Sequence, residues 1–190
     1  NSGLAKLSGN MHQSCLPMSL PRIVVIRHPK EKRSKCSLLP IESWEGTFFH
    51  RGKSGFSMDG TGFLLLAPDA PVISPADAVL TPGDEASFTG DRAAYLAKDS
   101  QGRTLRPILL LDSTWRLLPG LRRMIEGTPL ERSLPLTMKT AYPRVSKMTE
   151  DPDCGLATIE ALYGALRLMG MDCPALLEQY RWRDDFLAQF

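Results

Sequence analysis

No apolar run in these 190 residues approaches the roughly 20 needed to cross a bilayer; the longest, residues 63–67 and 108–111, are strand-sized. The four cysteines (Cys15, Cys36, Cys154, Cys173) form no CxxC pair, and the three histidines (His12, His28, His50) all fall within the first 50 residues. No spacing therefore points to a zinc site or to any other metal. Four cysteines are also too few for a disulfide framework in a chain of this length, so free thiols in a reducing, cytoplasmic setting are the expectation. No secretory signal is recognisable at the start. Phosphate-cradling glycine motifs are missing too: no GxxxxGK[ST] occurs, and no GxGxxG follows the first strand, which disfavours P-loop and dinucleotide-binding enzymes. GxSxG and HExxH are likewise absent. Net charge is nearly absent, at +2 from 23 basic and 21 acidic residues.

What is present is an ordinary globular composition, 43% hydrophobic and 23% charged, at a length that suits one domain. Residues 1–21 lack periodicity and read as a flexible lead-in, leaving 22–190 as the domain. Ile23-Val24-Val25-Ile26, Phe63-Leu64-Leu65-Leu66-Ala67 and Ile108-Leu109-Leu110-Leu111 are continuous apolar runs, the pattern of strands buried on both faces of a parallel sheet. Leu134 to Met138 reads as a short fourth strand, and a short helix is expected around Arg92 to Lys98. A helix is also expected from Pro119 to Gly127, and another over 157–169 with Thr158 as cap and Gly170 as stop. A last helix runs from Pro174 through the Trp182 region. Strands alternating with helices predict an α/β fold, a mostly parallel sheet with helices on both faces. In such sheets ligands bind beyond the carboxyl ends of the strands. Those ends carry His28 onward, Pro68-Asp69, and Asp112-Ser113-Thr114-Trp115.

The near-zero net charge hides a segregation. Residues 22–35 hold Arg22, Arg27, Lys30, Lys32, Arg33 and Lys35 against the single acid Glu31, and 116–147 is again basic. Residues 69–99 reverse the balance, with Asp69, Asp77, Asp84, Glu85, Asp91 and Asp99 against Arg92 and Lys98. Folded, such a chain could turn one basic face toward a polyanion such as RNA, although solvated loops explain the charges equally well.

Asp112-Ser113-Thr114-Trp115 places a carboxylate at a strand end with a flat apolar wall three residues on. By itself this is as compatible with helix capping and core packing as with catalysis. Set after the run 108–111, however, it resembles the D-x-T-W signature of the DTW-domain family. Four further segments resemble motifs of that family in the same order. They are His28-Pro29-Lys30-Glu31 with Arg33, Leu65-Leu66-Ala67-Pro68-Asp69-Ala70, Tyr142-Pro143-Arg144, and Leu156-Ala157-Thr158-Ile159-Glu160-Ala161. The resemblance spans about residues 22–170. Two departures stand out: the cysteine cluster common before the first strand is reduced to Cys15, and Ser37 stands where a Thr is usual.

The resemblance implies a SPOUT-like fold with a knotted C-terminal region that holds S-adenosylmethionine as co-substrate, with no metal. It implies transfer of the 3-amino-3-carboxypropyl group to N3 of a uridine in tRNA, releasing 5′-methylthioadenosine. Glu131-Arg132-Ser133-Leu134-Pro135 and residues 180–187 resemble instead a sister family that modifies small-subunit rRNA. On balance tRNA is the expected partner ahead of rRNA, with no membrane partner. A SPOUT-type RNA methyltransferase and a non-catalytic RNA-binding protein stay open as alternatives. Asp112 is the candidate general base or N3-orienting acceptor. Ser113, Thr114, Trp115, Leu66, Ala67, Pro68, Leu136, Met138, Thr158 and Ser37 are the candidate cofactor residues, with the start of the Thr158 helix available to the cofactor's carboxylate. Arg27, Lys30, Lys32, Arg33 and Arg144 are the candidates for RNA phosphates.

Overall fold

The three apolar runs become neighbouring inner strands. In the computed structural model, residues 20–33, 36–143 and 155–190 are described. In chain order the strands are β1 (Ile23–Arg27), β2 (Thr47–Arg51), β3 (Met58–Asp59), β4 (Leu64–Leu66), β5 (Ala97–Lys98), β6 (Thr104–Leu105), β7 (Ile108–Asp112), β8 (Ile125–Glu126) and β9 (Leu130–Arg132). The α-helices are α1 (Pro82–Glu85), α2 (Leu118–Arg122), α3 (Thr158–Leu168) and α4 (Arg183–Leu187).

The main sheet runs β2-β1-β7-β4-β9, and every pairing in it is parallel. Among the described residues, the small β5–β6 ladder is antiparallel. Parallel strands need both faces covered, and alternation along each strand sorts the side chains accordingly. Ile23, Val25, Leu64, Ile108 and Leu110 face a core completed by α3 and the C-terminal segment, through Ile159, Leu162, Tyr163, Leu166, Leu177 and Phe186. Val24, Ile26, Leu65 and Leu109 face the opposite core, closed by Leu121 of α2 with Phe63, Phe88 and Ile125. Each of these fully buried aliphatic side chains stabilises the fold by about 1.5–3 kcal/mol. The α/β class with a mostly parallel sheet is as the sequence predicts.

Several local expectations shift. β2, rich in aromatics but only half-buried at the sheet edge, has no counterpart in the sequence reading. The fourth strand expected at 134–138 lies instead at β9, because Leu66 and Arg132 pair and the chain then turns, with Met138 N–H donating to the Pro135 carbonyl at 3.0 Å. The helix expected near 92–98 is a 3-10 turn at Gly90–Tyr95. α2 ends at Arg122, well short of Gly127, since residues 125–126 are drawn into a ladder with β3. The C-terminal helix divides into a 3-10 turn at Pro174–Leu177 and α4. Residues 1–19, 34–35 and 144–154 lie outside the described residues, Arg144 and Cys154 among them.

α3 is long and amphipathic, with Met138 seated on its bare Gly164. A Cβ there would lie 2.6 Å from the Met138 sulfur. This close approach fixes the 135–138 turn against the helix. Among the described residues no helix is long and apolar enough to cross a membrane.

Candidate functional site

Register brings the site together. Arg27 closes β1 and Asp112 closes β7, and the two are paired residues in adjacent parallel strands. Their side chains meet beyond the strand ends, Arg27 Nε donating to Asp112 Oδ2 at 2.9 Å. Asp112 also accepts from the Cys36 thiol at 3.0 Å and from Thr158 Oγ1 at 3.3 Å. One carboxylate therefore joins β1, the loop after it, and the first residue of α3. The Asp112 side chain is only 9% exposed, so these bonds form where water competes weakly.

Arg27 turns inward. Its Nη1 reaches Glu42 Oε1 at 3.0 Å, its Nη2 reaches Cys36 Sγ at 3.1 Å, and its guanidinium lies 4.9 Å from the centroid of Phe49. It was expected at the phosphate surface. The structure instead commits it to two carboxylates and leaves its side chain 13% exposed, because an unpaired Asp112 and Glu42 at a buried strand end would be costly. Lys30, Lys32 and Arg33 are exposed, with Arg33 Nε bonded to Glu42 at 2.6 Å. Burial alone would raise the Glu42 pKa, but the bond from Arg33 and the charge of Arg27 hold it below the ordinary carboxylate value.

Cys36 is the residue that sequence reasoning had no means to find. Burial, then the charge of Asp112 and its hydrogen bond, push the thiol up to about 12, so at neutral pH it is a protonated donor and no nucleophile. Next to it, the expected cofactor residue Ser37 acts as a remote cap: its Oγ accepts the Ile159 N–H of α3 at 3.2 Å. The loop after β1 thus supplies the cap expected of Thr158, whose hydroxyl is turned to Asp112 instead.

Glu160 is the second such residue. It is fully buried and takes four donors: Thr140 Oγ1 at 2.6 Å, Ala141 N–H at 2.8 Å, Ala157 N–H at 2.8 Å and Tyr180 O–H at 3.0 Å. In the sequence Glu160 stands only as one residue of the 156–161 motif. The structure shows a hub tying the 140–141 loop and the C-terminal segment to the start of α3. It also places the chain's own carboxylate at the positive end of that helix.

The other expected cofactor residues flank this end at several distances. Thr114 N–H donates to Glu31 Oε1 at 2.8 Å, which locks the 112–115 turn to the loop after β1. Ser113 Oγ donates to the Thr114 carbonyl at 3.1 Å, and Trp115 is half-buried. Leu66, Ala67 and Pro68 lie at the carboxyl end of β4, next to β7, with Ala67 N–H held by the Arg132 carbonyl at 2.8 Å. Leu136 is 74% exposed while Met138 is buried against α3. No contact joins these two to Asp112 directly. Arg51, Lys53 and Arg116, exposed just beyond the ends of β2 and β7, add positive charge to the same edge. Among the described residues no cluster of His, Cys, Asp and Glu could hold a metal ion.

No protein-family model matches the chain, and no curated protein matches it in sequence. Among solved structures it is similar to the SAM-dependent rRNA:acp-transferase Tsr3 from Vulcanisaeta distributa. The TM-score is 0.58 at 22% sequence identity, over 89% of this chain and 78% of that one. At that identity the likeness establishes a shared fold.

Proposed function

We propose that the protein transfers the 3-amino-3-carboxypropyl group of S-adenosylmethionine to a uridine of small-subunit rRNA. The observation that carries this reading is a buried Asp112, tied to Arg27, Cys36 and Thr158 at the carboxyl edge of a sheet, in a fold shared with an rRNA:acp-transferase. The rRNA substrate displaces the tRNA first expected, because the neighbour is an rRNA enzyme. In addition, the rRNA-like terminal residues pack on the site: Tyr180 holds Glu160, and Trp182 stands edge-on to Tyr142 at 4.8 Å.

The residues fit the cofactor by chemistry. Half-buried Leu66 and Trp115 with exposed Leu136 offer apolar surface for adenine. S-adenosylmethionine supplies three carbons activated by its sulfonium. The choice of the aminocarboxypropyl carbon over the methyl is one of positioning, which the Met138–Gly164 and Glu160 contacts serve by fixing the surrounding loops. In the overall reaction a bond forms between uridine N3 and that carbon while its bond to sulfur breaks. The electron pair leaves on sulfur in 5′-methylthioadenosine, and the N3 proton passes to a base. Asp112 presents its carboxylate toward this edge and orients the acceptor. Lys30, Lys32 and Lys53 hold phosphates, so binding weakens steeply with salt.

The test is incubation of the full chain with carboxyl-labelled S-adenosylmethionine and separate tRNA and rRNA pools. Label in small-subunit rRNA with methylthioadenosine as by-product is expected. Label in tRNA would restore the tRNA substrate, and S-adenosylhomocysteine as the sole by-product would make the protein a methyltransferase.

A further inference from the structure

The edge of the sheet carries a cleft that the cofactor side does not use. It has a volume of about 290 Å³ and opens between the carboxyl ends of β1 and β2, with Arg27, His28, Glu31, Glu42, Phe49 and Arg51 among its walls. We infer that this cleft receives the acceptor uracil ring of a single-stranded or flipped-out uridine. The inference rests on the group-transfer reading above and adds to it the place of the base.

β1 and β7 are adjacent, so the β1–β2 cleft opens one strand away from the end that carries Asp112. The cleft is tied to the 112–114 turn on two sides. Arg27, in its wall, donates to the Asp112 carboxylate, and Glu31, in its wall, accepts from the Thr114 N–H. An occupant therefore lies next to the edge where the transfer takes place.

The lining selects the class of ligand. The lining is balanced in charge, Arg27 and Arg51 against Glu31 and Glu42, so it offers no net positive site to a phosphate. The flat Arg27 guanidinium, backed by the Phe49 ring at 4.9 Å, lines the cleft and suits a planar ring. Arg51 and the imidazole of His28 are donors for carbonyl oxygens, and the carboxylates are acceptors for a ring N–H. His28 Nδ1 accepts the Lys30 N–H at 3.1 Å, which orients that imidazole. A neutral planar heterocycle with alternating acceptors and a donor answers this set, and uracil has two carbonyls flanking one N–H. The volume sits at the bottom of the roughly 300–1,000 Å³ range of small-molecule pockets, room for one nucleoside. Outside the cleft, exposed Lys30, Lys32 and Lys53 stand where the phosphates on either side of a bound nucleotide would run.

The test uses the full chain and a small-subunit rRNA transcript in which 4-thiouridine replaces uridine. Irradiation should crosslink the RNA to residues 28–29 or 49–51, as mapped by peptide mass spectrometry. Arg51→Ala, at an exposed position that leaves folding intact by circular dichroism, should cut that crosslink roughly tenfold, the scale of one lost contact to a bound base. S-adenosylmethionine affinity, read by calorimetry, should stay unchanged in the variant. Crosslinks confined to residues 66–68 or 136–138, no crosslink at all, or a yield indifferent to Arg51→Ala would overturn the cleft assignment. Methylthioadenosine release is measured in parallel with the unmodified transcript. Crosslinks in the cleft without release would uphold the base site and sink the transfer reaction, and release without them would do the reverse.

Discussion

An inward-turned arginine guards each end of β7, and the two are surrounded differently. At the amino end, Arg106 is 5% exposed and donates to the carbonyls of Asp77, Gly62 and Val79 at 3.1, 3.0 and 3.4 Å, with one carboxylate, Asp84, at 2.9 Å. Most of its partners are backbone groups that do not titrate or move. At the carboxyl end, Arg27 bonds only side chains, two carboxylates and a thiol, and one of its sides faces an open cleft. The first is a staple that closes the acidic segment 69–99 onto the sheet. The second is a cluster of titratable side chains at the rim of that cleft. Burial of a cation thus has two meanings in one molecule, and the chemistry of the partners tells them apart.

The sharpest way to break the comparison is Arg106→Met. Four acceptors lose their donor in a closed site, so stability should fall by about 3–5 kcal/mol, read as a shifted urea midpoint, while the folded fraction keeps its cofactor affinity. Next comes Asp112→Asn, which keeps shape but removes the charge facing Arg27. Methylthioadenosine release per folded molecule should fall by about 10²-fold or more, with a smaller change in midpoint than Arg106→Met produces. Unchanged release would make Asp112 a staple like its counterpart.

Acid should erode both ends in a definite order of sign. Burial alone raises Glu42, Asp77 and Asp84, but their arginine partners outweigh it and hold all three below their ordinary values. A depressed carboxylate gives stability that is complete above its unfolded pKa and lost as pH falls through the lower folded one, so the loss should appear below about pH 4. Glu42→Gln should flatten part of that limb. His50 adds an earlier step. Burial depresses it, so the folded chain resists its protonation and stability should begin to fall as pH drops below 6.5. His50→Gln should remove that step from a pH series of thermal melts.

The smallest effect belongs to Cys36. With its thiol pushed up to about 12, alkylation by iodoacetamide at pH 8 should be at least about tenfold slower than in the unfolded chain, as followed on the Cys36 peptide. Cys36→Ser keeps a donor for Asp112, and Cys36→Ala should cost about 1 kcal/mol more.

The inner strands were legible because a strand covered on both faces has no polar positions: β1, β4 and β7 announce themselves as unbroken apolar runs. Edge strands do not. Thr47-Phe48-Phe49-His50-Arg51 alternates too weakly to be distinguished from a loop, and Leu130-Glu131-Arg132 is polar because one side faces solvent. At the site, Asp112 and Thr158 could be picked out through motif order, and the structure puts them 3.3 Å apart. Cys36 could not, and Glu160, though it lies in the 156–161 motif with Thr158, gave no sign of its role. A buried carboxylate with four donors carries the same letter as a solvated one, and its donors come from 3 to 20 residues away. The inward turn of Arg27 was hidden for the same reason, since its partners lie 9, 15 and 85 residues along the chain.

The cap that Ser37 provides to α3 spans 122 residues. Such a bond cannot form early in folding, because loop closure over that length must be offset by other contacts first. The Asp112–Thr158 bond has the same dependence, bridging 46 residues. Ile159, whose N–H Ser37 caps, is also fully buried in the core that α3 completes, so the site settles in the same step that docks α3 on the sheet. A refolding experiment that follows Trp115 fluorescence, with Trp44 and Trp182 replaced by Phe, beside far-ultraviolet circular dichroism would see the two signals settle together in that step, and Ser37→Ala would slow it.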